Sequence, residues 1–228
     1  MRRARTPSEL TLTEEFFLVA LDESTGRPMI DRDMLGAGLA GAVIATLILA
    51  GRAAVQDATL VPVDGQPLGD PVADPLLAEL RRERRAPVTA WIDLMRPGLS
   101  AVIAEDLAAL GVIRIQLVRQ QLTRRVVARF PAADPVRAVG PRVRLGHALG
   151  RVVAVDARTA TLAQITQATG VHRWFVTMYG PIVREQLAAA ASALVPELAA
   201  VVAAITGPAP RSRIAVRFWP QRDTSIAW

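Results

Sequence analysis

The sequence predicts a mainly α fold with one or two short β-hairpins. Of its 228 residues 51% are hydrophobic, which is enough to form a sizeable core without disulfides or metals. Helical patterns fill most of the chain, including an uncharged segment of 17 residues, Met34–Ala50, and an alanine-rich stretch at 186–206. Strand patterns occur in two places, 53–63 and 113–130. Helices should therefore form the body of the protein.

The two ends of the chain differ from its middle. Residues 1–8 carry three arginines and lead into acidic residues rather than an apolar run, so we expect a basic arm and no secretory signal. Residues 9–208 are expected to form one helical domain. Residues 209–228 alternate arginine with apolar and aromatic residues, a pattern that fits a disordered tail, an added strand or an anchor at a membrane surface.

A capping box predicts the first helix. Thr11 and Glu14 have the spacing at which each side chain can bond the other residue's backbone, and Phe16 and Phe17 follow as apolar residues. The sequence Gly26-Arg27-Pro28 should end this helix. We expect the helix to be short and packed over most of its circumference.

The segment Met34–Ala50 has three possible structures. Its length is at the lower limit for crossing a membrane, which is about 17 residues. Its glycines and alanines would allow close helix packing, but they make up about half of the segment and dilute its hydrophobicity. We favour a fully buried central helix, ended by Gly51, over a membrane span or an irregular loop.

Two hairpins are predicted. The first covers 53–63, with a turn near Asp57. In the second, Ile113–Leu117 alternates with period two and pairs with Val126–Phe130, so that arginines lie around the turn. Further helices are predicted at 75–85, 91–95, 99–110, 159–169, 171–187 and 188–205, the last interrupted by Pro196, and one more begins at Asp134-Pro135.

Positive charge is concentrated in the second half of the chain. All 27 basic residues are arginine, and residues 101–228 contain 16 of them against 7 acids, whereas residues 1–100 contain 11 against 14. Guanidinium groups bind phosphate oxygens in a bidentate manner, so this asymmetry predicts a polyanionic partner. The candidate basic surface comprises Arg114, Arg119, Arg124, Arg125 and Arg129 of the hairpin region, and Arg137, Arg144 and Arg151, which recur every seven residues.

No pattern of residues indicates an enzyme. The chain has no cysteine and two histidines, His147 and His172, which are too few for most metal centres. It contains no glycine-rich phosphate loop, no zinc-protease motif and no serine elbow. We expect no catalytic residues, no metal and no cofactor.

Several stretches resemble the Golgi phosphoprotein 3 family, which includes bacterial members. The resemblance covers roughly residues 8–206. The matching stretches, in order, are Leu10–Leu21, Gly38–Gly41, Leu47–Arg52, Gly69-Asp70, Leu76–Leu80, Trp91–Leu94 and Leu110–Val112. The resemblance implies a central helical bundle wrapped by amphipathic helices, with a hairpin used for homo-oligomerisation, here 113–130.

The resemblance also implies a lipid-binding function. Eukaryotic members bind phosphatidylinositol 4-phosphate through a pocket of one tryptophan and several arginines, and they act as coat adaptors that retain glycosyltransferases. At the corresponding positions this chain has Asp31, Ala40, Pro97 and Ser100. Its nearest arginines are Arg32 and Arg96, which we take as the candidate headgroup ligands.

These observations together predict a non-enzymatic peripheral membrane protein. It would bind anionic phospholipid headgroups on the cytoplasmic, inner face of the membrane, with an adaptor role as one option. The alternative is nucleic-acid binding, because a helix, Gly51 and a hairpin follow one another in the order of a winged helix. That alternative is weaker, since the helix before the hairpin is apolar on all sides.

Overall fold

The computed structural model describes residues 10–82, 85–119, 126–151, 155–207 and 226–227. Within these ranges the chain forms ten helices and six short strands, which confirms the mainly α fold class. In chain order they are α1 Leu12–Val19, α2 Arg32–Leu49, β1 Ala53–Gln56, β2 Thr59–Pro62, α3 Ala73–Arg81, β3 Ala86–Pro87, α4 Val88–Met95, α5 Leu99–Ala109, β4 Gln116–Arg119, β5 Val126–Arg129, α6 Pro135–Leu149, α7 Ala157–Thr169, α8 His172–Tyr179, α9 Ile182–Ser192, α10 Pro196–Ile205 and β6 Ile226–Ala227.

Helix α1 begins with the predicted capping box. The Thr11 hydroxyl accepts a hydrogen bond from the Glu14 backbone N–H, and the Glu14 carboxylate accepts one from the Thr11 N–H at 2.7 Å. Two of the helix's unpaired backbone donors are thereby satisfied. Phe16 and Phe17 are fully buried, and the Phe17 ring meets Phe130 edge to face with centroids 5.1 Å apart. Helix α1 is therefore fixed against both the bundle and the end of β5.

Helix α2 is the central helix of the bundle. It packs against α1, α7, α10, α4, α5 and α3, and its residues from Leu35 to Ala45 are all buried. Within the described ranges it is also the one helix long and apolar enough to span a membrane, with a mean hydropathy of 1.5 over 18 residues. However, 67% of that stretch is buried inside the protein. This burial agrees with the predicted core helix, because the neighbouring helices cover its apolar surface.

Glycines on α2 allow its neighbours to approach closely. A Cβ atom on Gly36 would lie 2.6 Å from the backbone oxygen of Arg96, at the corner between α4 and α5. A Cβ on Gly38 would lie 2.5 Å from the Phe16 ring. Since neither distance leaves room for a side chain, the small residues of this segment serve packing within the protein.

The first predicted hairpin is confirmed and gains a third strand. Strands β1 and β2 pair antiparallel, and β3 adds to β2. Asp57 and Ala58 form the tight turn, with φ angles of 47° and 59°. Positive φ at both central residues is the geometry that matches the twist of a two-residue hairpin.

The second hairpin also forms, with a later start than predicted. Strand β4 begins at Gln116, which pairs with Arg129, whereas Ile113 makes a separate bridge with Ala132. Strand β6, from the C-terminal tail, pairs parallel with β5. The described part of the tail therefore has the added-strand structure, one of the three that its sequence allowed.

One predicted helix, 171–187, is wrong as a single element. It is divided into α8 and α9 at Gly180, which has a φ of 80°, and Pro181, which stands at the start of α9. Positive φ is accessible to glycine, and proline has no backbone N–H to donate to a preceding turn. The predicted break at Pro196 is confirmed, because α9 ends at Ser192 and Pro196 opens α10.

Candidate functional site

Arg142 of α6 is buried and serves the fold. Only 4% of its side chain is exposed, and its guanidinium donates to the backbone oxygens of Val19 (2.9 Å) and Leu21 at the end of α1. It also donates to the Glu23 carboxylate at 3.1 Å. A guanidinium at this position satisfies helix-end carbonyls and complements the negative end of the helix dipole.

Further contacts secure Arg142 in this place. Its guanidinium lies over the Trp174 ring, 4.6 Å from the centroid, in cation–π geometry. Burial lowers the pKa of Arg142, and the negative charge of Glu23 opposes that shift. This role of Arg142 was not predicted, although its burial has a signal in the sequence: Arg142, Leu145 and Leu149 lie at i, i+3 and i+7 and share the buried side of α6.

Glu15 on α1 holds two more arginines. Its carboxylate accepts a hydrogen bond from Arg144 of α6 at 2.8 Å and from Arg158 of α7 at 2.9 Å. Arg158 also donates to the backbone oxygen of Leu10 at 2.8 Å. Glu15 is 12% exposed, whereas Arg144 remains 63% exposed. One carboxylate therefore balances two guanidinium groups, and the surface keeps a net positive charge.

The base of the β4–β5 hairpin is joined to the start of α6. Arg114 donates to the backbone oxygen of Ala132 at 3.2 Å, and Arg137 donates to that of Leu110 at 2.8 Å. The Ala133 backbone N–H bonds the Val112 oxygen in the same region. The segment before β4 is thus joined to the segment that opens α6.

The predicted basic residues have different positions on that surface. Arg114 and Arg119 are exposed on the hairpin, and Arg129 is partly buried opposite Gln116. Arg124 and Arg125 lie outside the described residues. Arg137 and Arg144 lie on one side of α6, whereas Arg151 is exposed two residues beyond the end of the helix.

Arg32 and Arg96, the candidate headgroup ligands, lie near the start of α2. Arg96 packs against Gly36, which is one turn after Arg32 on the same side of that helix. Arg96 is paired with Asp93, and 28% of its side chain is exposed. Arg32 is flanked by Asp31 and Asp33; Asp31 is the N-cap of α2 and accepts from the Met34 backbone N–H at 2.9 Å. Arg96 is thus paired with a carboxylate and Arg32 stands between two acidic residues in the chain, and both conditions are unfavourable for binding an anion.

Comparison with families of known proteins agrees with the resemblance. A model of the Golgi phosphoprotein 3 (GPP34) family matches residues 12–207, which is most of the chain and agrees with the range of the resemblance. The chain belongs to the Golgi phosphoprotein 3 family. Comparison with individual curated proteins finds no match.

Two of the four positions that the resemblance assigns to a headgroup pocket are buried, and the other two, Asp31 and Pro97, are exposed. Ala40 is completely buried in α2, and Ser100 is 3% exposed at the start of α5. Side chains at these two positions face the core, so they could not contact a headgroup. Together with the acidic neighbours of Arg32, this leaves the hairpin and α6 as the more favourable cationic surface.

The described residues contain no group of three or more His, Asp or Glu side chains that could hold a metal ion. The two histidines are far apart in the chain, one near the end of α6 and one at the start of α8. Burial lowers the pKa of His172, and the charge of Arg173 acts in the same direction.

Proposed function

We propose that this chain is a non-enzymatic peripheral protein that binds anionic phospholipid surfaces on the cytoplasmic side of a membrane. The observation that carries the proposal is the exposure of Arg114, Arg119, Arg144 and Arg151 on the hairpin and around α6. The hydrogen bonds of Arg114 and Arg137 join the segment before β4 to the segment that opens α6. The proposed basic surface also includes Arg124, Arg125 and Arg129.

Electrostatic attraction at such a surface is large enough to matter. Each arginine near an anionic leaflet contributes about 1 kcal/mol, and the attraction decays within a Debye length. Several exposed guanidiniums would therefore give measurable but salt-sensitive binding. Because Arg32 and Arg96 lie among carboxylates, the proposal is general attraction to anionic lipid, and selective recognition of phosphatidylinositol 4-phosphate is not part of it.

Self-association through the hairpin fits the same surface. Among the described residues the sheet order is β4-β5-β6, in which β5 has neighbours on both sides and β4 lies at an edge. An edge strand can pair with a strand of another chain. We therefore propose β4 as the edge at which a second copy would bind, which would double the number of arginines facing a membrane. An adaptor role for a protein partner would follow from such assembly.

Nucleic-acid binding is the alternative outcome. A winged helix needs an exposed recognition helix before its hairpin, but α2, which precedes β1 and β2, is buried along most of its length. The arginines could still meet nucleic-acid phosphates through charge alone. A test of lipid binding should therefore include DNA at the same ionic strength.

Co-sedimentation with vesicles tests the proposal. The full-length protein is mixed with neutral phosphatidylcholine vesicles or with vesicles that also contain phosphatidylserine, at low and high salt. We expect sedimentation with the anionic vesicles at low salt and release at high salt. A gel shift with duplex DNA is run in the same buffers. Equal partitioning to both vesicle types, or binding to DNA alone, would contradict the proposal.

A charge reversal locates the surface. Arg119→Glu should weaken binding to anionic vesicles by about fivefold or more, because removal of one arginine contribution costs about 1 kcal/mol and the new carboxylate adds repulsion. Arg85→Glu is the matched control, since Arg85 is also exposed but lies beside β3, in the other sheet. Equal losses in both variants would indicate that net charge alone, rather than this surface, determines binding.

A further inference from the structure

The solvent side of α6 carries an apolar stripe. Val136 is 82% exposed and Val143 is 44% exposed. These residues are seven positions apart, so they point in directions that differ by only about 20°. Gly140 lies between them, and the exposed His147 continues the line by one turn. Single exposed valines are ordinary, but these two lie on the same side of α6, with the Arg144 guanidinium beside Gly140 between them.

Arginines border this stripe on one side. Arg137 and Arg144 each follow a stripe valine directly, so they lie about 100° around the helix. Arg144 is 63% exposed although it contacts Glu15, which it shares with Arg158. The opposite side of α6, with Arg142 and Leu145, faces the core. The helix thus has a buried side, an apolar solvent strip and a cationic margin.

Helix α8 borders the stripe on the other side. The Tyr179 ring lies where side chains on Gly146 and Gly150 would otherwise be, with ring atoms 2.8 and 3.0 Å from the ideal Cβ positions. Tyr179 is nevertheless 38% exposed, and its neighbour Met178 is 60% exposed. The exposed apolar surface therefore continues from α6 onto the end of α8.

We infer that Val136, Val143, Met178 and Tyr179, here named the α6–α8 face, insert shallowly into the headgroup region of an anionic membrane. This inference rests on the proposed function and adds the surface through which contact occurs. Helices that lie in a membrane interface typically carry apolar side chains next to guanidiniums. The apolar side chains enter the headgroup region, and the guanidiniums contact the phosphates. Tyrosine is also enriched at that depth. This complementarity of charge and polarity favours a lipid surface over a protein partner.

Site-directed labelling tests the inference. Because the chain has no cysteine, Met178→Cys gives a unique attachment site for a nitroxide, and Val63→Cys gives a matched control, since Val63 is 39% exposed at the end of β2. On phosphatidylserine-containing vesicles, the label at 178 should become less accessible to a water-soluble relaxation agent and more accessible to oxygen. The label at 63 should remain in water.

A binding comparison supplements the labels. The double variant Val143→Ser/Met178→Ser should partition about tenfold more weakly to anionic vesicles, because two apolar groups no longer enter the interface. Its salt dependence should match that of the wild type, since no charge changes. The control Leu49→Ser/Val63→Ser removes two exposed apolar side chains elsewhere and should bind as the wild type does.

The outcomes separate the two proposals. If the unmodified protein does not bind anionic vesicles, the proposed function and the inference both fail. If it binds, but the label at 178 stays in water and the double variant is unaffected, the inference fails and the proposed function remains. Immobilisation of the label that depends on protein concentration without vesicles would assign the face to contact between two copies and would also overturn the inference.

Discussion

The arginines packed against α1 and those on the hairpin have the same side chain in opposite surroundings. Arg142, Arg144 and Arg158 bind carboxylates and helix-end carbonyls of the acidic N-terminal region. Arg114 and Arg119, by contrast, are exposed on the hairpin. The charge asymmetry of the sequence is therefore divided: part of it holds the two halves of the chain together, and the exposed part is what we propose meets a polyanion. Arg144 belongs to both parts, because it pairs with Glu15 and is still 63% exposed.

The largest expected effect comes from the buried member of the first group. Arg142→Met should lower the free energy of unfolding by about 3 kcal/mol, because the Val19 and Leu21 carbonyls and the Glu23 carboxylate lose their donor. Urea denaturation would measure this change. The exposed Arg119→Met variant is the control, with an expected change within about 0.5 kcal/mol. Similar losses in both variants would contradict the division into two groups.

A smaller effect is expected at the shared carboxylate. Glu15→Gln should cost about 1 kcal/mol of stability, because the ion pairs with the half-exposed Arg144 and Arg158 are replaced by hydrogen bonds from the two guanidiniums to a neutral amide oxygen. The same change adds one net positive charge near α6. Binding to anionic vesicles should therefore become slightly tighter while stability falls. If both stability and vesicle binding decreased, the arginines that contact Glu15 would not contribute to vesicle binding through their charge.

The smallest effect concerns pH. Burial lowers the pKa of His172 below its ordinary value of 6.5, so the unfolded chain binds a proton more readily than the folded one. Above pH 6.5 His172 is neutral in both states and does not lower the free energy of unfolding. As the pH falls through and below that value, the unfolded chain takes up the proton first, and the free energy of unfolding decreases. Between pH 7.5 and pH 5.5 the free energy of unfolding, measured by urea denaturation, should therefore decrease more for the wild type than for His172→Gln. An equal loss would mean that exposed groups govern the pH dependence.

Local patterns were sufficient to predict much of the fold. The capping box at Thr11, the uncharged α2 segment and the alternation around Leu117 each depend on neighbouring residues, and each element formed. The break between α8 and α9 was missed because the apolar pattern continues across Gly180. There the glycine and the following proline outweigh the periodicity, which alone would have continued the helix.

The candidate site was harder to predict because it depends on distant pairings. Arg142 lies 119 residues from Glu23, and no local pattern indicates that the two meet. Arg137 and Arg144 lie on one side of α6, as their spacing predicts, but the helix ends at Leu149, before Arg151. Arg144 also contacts Glu15, which its spacing could not indicate. Whether Arg96 could bind an anion likewise depends on two contacts made in the fold, its ion pair with Asp93 and its packing against Gly36 of α2.

The three glycines of α2 make this helix dependent on its surroundings. Each of Gly36, Gly38 and Gly41 disfavours helix by about 1 kcal/mol relative to alanine, so together they cost about 3 kcal/mol. The contacts they permit with the α4–α5 corner, α1 and α10 are what offset this cost. The segment would accordingly be mostly coil as an isolated peptide in water. The folding of α2 into a helix and the packing of its neighbours should therefore occur in one cooperative step. The centre of the protein should not become helical before the helices around it have packed.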